Sequence, residues 1–99
     1  MKRYAKENGF QADMIKELET RYEGSLVLKN DPNYIQGIPD LLILHKGKWA
    51  ALECKRSEYE KHQPNQDDYI RQMRKMSYAA FVYPENKEQV LSELDKFLV

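Results

Sequence analysis

A chain of 99 residues is one domain with a modest core, burying only ~60–65% of the surface that its unfolded form exposes. It carries 16 Lys and Arg against 16 Asp and Glu, a formal net charge of zero, so global charge neither demands nor excludes a polyanionic partner. The single cysteine rules out an intrachain disulfide and a cysteine-rich zinc site. No apolar run approaches the ~20 residues of a membrane span, and the charged opening Met1–Glu7 has no apolar stretch behind it; the expectation is a cytoplasmic protein without a signal peptide.

In chain order, Phe10, Met14, Ile15, Leu18 and Tyr22 fall at spacings of three and four and predict a helix from about Lys6 to Tyr22, stopped by Gly24. Ser25–Lys29 is a short apolar first strand, and Asn30-Asp31-Pro32-Asn33 is turn chemistry. Two apolar runs follow, Asp40 to His45 and Trp49 to Lys55, on either side of Lys46-Gly47, and together they predict a hairpin. One face carries Leu42, Leu44, Trp49 and Ala51; the other carries Leu41, Ile43, Ala50, Leu52 and Cys54. Strands apolar on both faces are covered on both sides, which implies a sheet between helices. Arg56 to Asn65 is a polar loop. Pro64 suits the start of a second helix, with Ile70, Met73 and Met76 or Ser77 on its inner face. Ala79–Tyr83 is a fourth strand, and Val90, Leu91, Leu94, Phe97 and Leu98 mark a final amphipathic helix. The order is αβββαβα over one domain spanning residues 1–99.

Three charged residues stand out against this apolar hairpin. Asp40 and Glu53 are equidistant from the Lys46-Gly47 turn, so an antiparallel two-residue hairpin sets them directly opposite, with Cβ atoms ~4.5–5.5 Å apart. Lys55, two residues beyond Glu53, shares its face. A Glu-x-Lys alone means little in a chain that is 32% charged. Charges that converge at one end of an apolar hairpin are different, because buried charges are paired or bind metal. Two carboxylates so held suit one hard divalent cation. Gln66 lies on the helix face of Ile70 and Met73, where an amide is out of place unless it bonds something; Gln63 is the weaker alternative. Cys54 points away from Glu53 and reads as a small core residue. His45 and His62 have no partners at metal-ligand spacing and read as surface or loop histidines.

Gly37-Ile38-Pro39-Asp40 followed by Glu53-Cys54-Lys55, on this order of elements, resembles the PD-(D/E)XK nuclease superfamily, and within it the small stand-alone phage type of virus-type replication-repair nuclease (VRR-Nuc) domain. The likeness runs from the first helix to the strand at Phe81. It implies a restriction-endonuclease-like α/β fold and Mg²⁺- or Mn²⁺-dependent hydrolysis of DNA phosphodiesters, structure-selective for branched DNA such as four-way junctions. By the same likeness Asp40, Glu53 and the backbone carbonyl of Cys54 are metal ligands, Lys55 orients or deprotonates the attacking water, and Gln66 points at the site. A first-helix glutamate commonly completes such a shell directly after an aromatic. Here Gln11 follows Phe10, so either Glu7 takes that role or the shell has one carboxylate fewer.

For substrate contact, Lys46, Lys48, Arg56, Lys61, Arg71, Arg74 and Lys75 gather around the hairpin and second helix, diluted by Glu58, Glu60, Asp67 and Asp68. Phosphate contacts from such cations make binding salt-dependent. Cutting both strands suits a two-fold homodimer. The competing reading is a nucleic-acid-binding module that kept the fold without the activity.

Overall fold

The computed structural model describes residues 2–99. It is an α/β domain with three helices and one four-stranded mixed sheet: α1 (Glu7–Arg21), β1 (Leu26–Lys29), β2 (Leu41–His45), β3 (Lys48–Cys54), α2 (Gln66–Met76), β4 (Tyr78–Val82) and α3 (Lys87–Leu98). The strands lie in sequence order; β1–β2 and β2–β3 are antiparallel, and β4 joins β3 in parallel through the α2 crossover. Among the described residues no helix is long and apolar enough to cross a membrane.

The hairpin forms as its sequence dictates. Lys46 and Gly47 both take positive φ, 52° and 76°, the combination that lets a two-residue loop follow the twist of its strands. The pairs Leu41–Leu52, Leu42–Ala51 and Ile43–Ala50 then set the register. On one face Leu41, Ile43, Leu52 and Cys54 meet Phe10, Met14 and Leu18 of α1 and Leu91 and Leu94 of α3. On the other, Ala51 and Ala79 meet Ile70 of α2, with Trp49 and Phe81 half-buried at the margin. The small residues at 51 and 79 let α2 approach the sheet closely. A bidentate pair, Arg21 to Asp95 at 2.6 and 2.8 Å, reinforced by the Tyr22 hydroxyl donating to Asp95 at 2.7 Å, ties α1 to α3.

Three details differ from the expectations above. His45 is buried, its ring 5.6 Å from that of Tyr22, because position 45 continues the inward alternation of Leu41 and Ile43. Pro64 lies outside α2, which begins two residues later behind Asn65 in a left-handed conformation at φ 72°. Of the alternatives at the end of α2, Met76 is exposed and Ser77 turns inward, its hydroxyl donating to the Trp49 carbonyl.

Gly37 joins two parts of the chain. Its φ is +90°, and a Cβ there would lie 2.7 Å from both the Asn65 Cβ and the Pro64 carbonyl oxygen. The loop before Asp40 therefore packs backbone-to-backbone on the turn that starts α2. Gly37→Ala is expected to cost about 1–3 kcal/mol from the backbone conformation alone, more once the clash is relieved, and urea denaturation reads it directly. A stability equal to wild type would show that this contact is dispensable.

Candidate metal centre

The carboxylates meet at the end of the sheet away from the hairpin turn. Asp40 immediately precedes β2, one step beyond the Leu41–Leu52 pair, so the register sets it opposite Glu53. Its backbone is held by Asn30, whose amide N–H donates to the Asp40 carbonyl at 2.8 Å and whose side chain donates to the Pro39 carbonyl at 2.7 Å. Its side chain is held by the Cys54 amide N–H, which donates to Oδ2 at 3.0 Å. Strand pairing and this bond fix the Asp40 carboxylate without any cation.

Glu53 sits near the end of β3, with Phe81 of β4 as its parallel neighbour. It is 1% exposed. Its Oε2 accepts from the Gln66 side-chain amide at 3.0 Å, and its Oε1 has no hydrogen-bond partner. Gln66 is itself fixed, because its Oε1 accepts from the Gln63 backbone N–H at 2.8 Å. The amide thus caps the approach to α2 and holds Glu53 at once, and the part played by Gln63 is its backbone.

Lys55 is 2% exposed. Its Nζ lies 4.0 Å from Glu53 Oε2 and donates to the Lys61 carbonyl at 3.2 Å. Its backbone N–H extends the sheet by bonding the Val82 carbonyl at 2.9 Å. The Cys54 thiol is buried on the opposite face, where burial raises its pKa well above the ordinary value.

Glu7, the first residue of α1, reaches the same place. One carboxylate oxygen from each of Glu7, Asp40 and Glu53 lies within 4.8 Å of the others. That separation is of the order of twice the ~2.0–2.6 Å metal–oxygen distance of hard divalent cations. Burial, together with the adjoining Asp40 carboxylate, pushes the Glu53 pKa up to about 9. Burial and a hydrogen bond with Glu60 push Glu7 up to about 7, while Glu60 is lowered. Three acids gathered with one unsatisfied buried oxygen are costly without a counter-charge, and the all-oxygen donor set fits Mg²⁺ or Mn²⁺.

Glu60 is the participant that sequence reasoning missed. Its Oε1 accepts from the Arg56 backbone N–H at 2.6 Å, and its carboxyl is among the groups that push the Glu7 pKa up. The only signal was its four-residue spacing from Arg56 in a polar loop. Lys61 likewise enters through its carbonyl.

The cations proposed for substrate contact are not all gathered here. Lys46 and Lys48 lie at the hairpin turn, the far end of β3 from Glu53, where Lys48 Nζ donates to the Val99 carbonyl at 3.4 Å. Arg56 directly follows Lys55 and donates to the Ala5 carbonyl at 3.1 Å. On α2, Arg71 pairs with Asp68, and Arg74 donates to the Ala79 carbonyl at 3.0 Å. Among the described residues, Lys61 and Lys75 form no ion pair. His62 stacks on Phe81, ring centroids 4.0 Å apart, with Nδ1 2.8 Å from an Asp67 oxygen.

Comparison with protein-family models, curated proteins and solved structures found no match to this chain.

Proposed function

We propose that this chain is a restriction-endonuclease-like nuclease that hydrolyses DNA phosphodiesters with Mg²⁺ or Mn²⁺. One observation carries the reading: the buried Glu53, with an orphaned oxygen, converges with Asp40 and Glu7 beside the buried ammonium of Lys55. A structural salt bridge would place Lys55 against Glu53 at hydrogen-bond distance. Here they stand 4.0 Å apart, and Lys55 spends a donor on a backbone carbonyl.

In this reading Asp40 and Glu53 hold the metal, Glu7 adds a third carboxylate, and the Cys54 carbonyl is a further ligand suggested by the family resemblance. The bound ion supplies Lewis acidity at a phosphoryl oxygen and lowers the pKa of coordinated water. Gln66 keeps the Glu53 carboxylate in one orientation by donating to Oε2, which leaves Oε1 without a partner. Lys55 orients the attacking water and places positive charge where the phosphate gains negative charge. Burial strengthens that interaction, since the ammonium has little competing solvent. Branched DNA as the preferred substrate, and a homodimer that cuts both strands, belong to the same reading through the resemblance.

The test is cleavage of linear, nicked and four-way-junction DNA with Mg²⁺ or Mn²⁺, alongside Asp40→Asn and Lys55→Met. Metal-dependent cleavage lost in both variants is expected. Cleavage unchanged by either would place the chemistry elsewhere, and binding without cleavage would mark a non-catalytic nucleic-acid-binding module.

A further inference from the structure

A groove of about 370 Å³ opens between the segment before α1 and the loop after β3, with Arg3 and Tyr4 on one wall and Arg56 and Tyr59 on the other. Both walls are continuous in sequence with the carboxylate site. Arg56 follows Lys55 directly, and its guanidinium donates to the Ala5 carbonyl at 3.1 Å, two residues before Glu7. Two residues span at most ~7 Å of chain.

The groove's polar groups are not equivalent. The Lys2 ammonium is engaged by Asp13 at 3.1 Å, and Glu85 at the rim accepts the Glu58 amide N–H at 3.2 Å. Arg3 and Arg56 form no ion pair among the described residues. Tyr59 is 86% exposed, yet its backbone is held by a bond from its N–H to the Ser57 hydroxyl at 3.2 Å. An aromatic ring stands in solvent on an anchored backbone, beside two guanidinium groups that carry no ion pair, of which that of Arg56 also donates to the Ala5 carbonyl.

We propose that this groove binds an unpaired nucleic-acid strand next to the metal centre, Tyr59 stacking on a base while Arg3 and Arg56 contact phosphates. The identity of the ligand as nucleic acid rests on the nuclease reading above; the groove is a site additional to it. Cationic grooves that carry an aromatic platform follow single strands, because every base offers a π-face and every linkage a charge. The volume is at the small end of ligand sites, which begin near ~300 Å³. That is the scale of a nucleoside unit and its phosphate. An acidic peptide would use the guanidinium groups and leave the Tyr59 ring without a partner.

The experiment measures fluorescence anisotropy of a short labelled oligothymidylate and of a blunt duplex in EDTA, where metal-dependent cleavage does not run. Tyr59→Ala is expected to weaken oligothymidylate binding roughly 5- to 100-fold, with Tyr59→Phe close to wild type and duplex binding unchanged. Arg3→Ala is expected to weaken the same binding and reduce its salt slope by about 0.7. Because Tyr59 is exposed, its variants are expected to fold, which circular dichroism checks. Oligothymidylate affinity within twofold of wild type in Tyr59→Ala overturns the proposal, as does displacement of the oligonucleotide by polyglutamate with equal potency. Cleavage by wild type in Mn²⁺ is scored separately. Its absence would overturn the nuclease reading, whereas only the anisotropy decides the groove.

Discussion

Glu53→Gln is expected to raise the stability of the metal-free protein and at the same time to remove cleavage. The Glu53 pKa is pushed from 4.5 up to about 9 by burial and by Asp40, so folding at pH 7 takes up a proton. At ~1.4 kcal/mol per pH unit above the unfolded value, that uptake costs on the order of 3–4 kcal/mol at pH 7. A glutamine is neutral in both states and carries no such cost. Its carbonyl still accepts from Gln66, and its amide N–H donates toward the other acids where Glu53 Oε1 now has no partner. The melting temperature of the variant should rise by more than about 10 °C in a domain of this size. Cleavage in Mn²⁺ should fall by roughly 10²–10³-fold or more, since the amide withholds the charge that binds the ion and stabilises the transition state. A structural role predicts the opposite pair of outcomes. If Glu53 served to neutralise Lys55, the glutamine would leave a buried ammonium uncompensated, stability would drop and cleavage would persist. Thermal denaturation and a cleavage assay on the same preparation separate the two.

The hairpin was legible because two independent signals agree. Residues alternate strictly between faces, and a Lys-Gly pair at the turn tolerates the positive φ that a tight loop demands. A one-residue slip would have moved every core side chain to the wrong face, so the opposition of Asp40 and Glu53 followed from packing. Gln66 was legible as an amide on an apolar helix face. Glu7 entered only through the resemblance, as one of two alternatives, and no residue pattern pointed to it, for a geometric reason. It starts α1, whose core lies on the Leu41–Cys54 face of the sheet, whereas Glu53 points to the α2 face. Only at the end of the sheet can a residue from the one layer reach the other, and periodicity carries no information about that corner. The loop from Arg56 to Asn65 is the same difficulty in stronger form. It holds Lys55 through the Lys61 carbonyl and meets Glu7 through Glu60. Neither contact depends on a pattern, since one uses a backbone atom that any residue supplies. Lys46 and Lys48 show the converse: they stand close to Glu53 in sequence, and the length of β3 carries them to the other end.

The same acids give the metal-free protein a pH dependence that a bound ion should reduce. Glu7 is pushed up to about 7 and Glu53 up to about 9, each from 4.5. A carboxyl whose folded pKa is raised favours the folded state fully below its unfolded value. That advantage is lost as pH rises from 4.5, through about 7 for Glu7 and about 9 for Glu53. Without metal, the melting temperature should therefore fall steadily between pH 5 and pH 9. Metal binding needs the deprotonated forms and releases their protons, so affinity for Mn²⁺ should increase over the same interval. At a concentration 100 times the Kd, an ion that binds only the folded state stabilises it by about 2.7 kcal/mol, or roughly 10–20 °C in a domain of this size. Excess Mn²⁺ at pH 8 should thus offset part of what the acids cost, and at pH 5 it should do little. Glu7→Gln provides the internal control, because it removes the Glu7 share of the decline, which lies between about pH 4.5 and pH 7, while a decline from pH 7 to pH 9 that belongs to Glu53 remains. A metal-free melting temperature that is level from pH 5 to pH 9, with no response to Mn²⁺ at pH 8, would mean that the three carboxylates are not a metal centre.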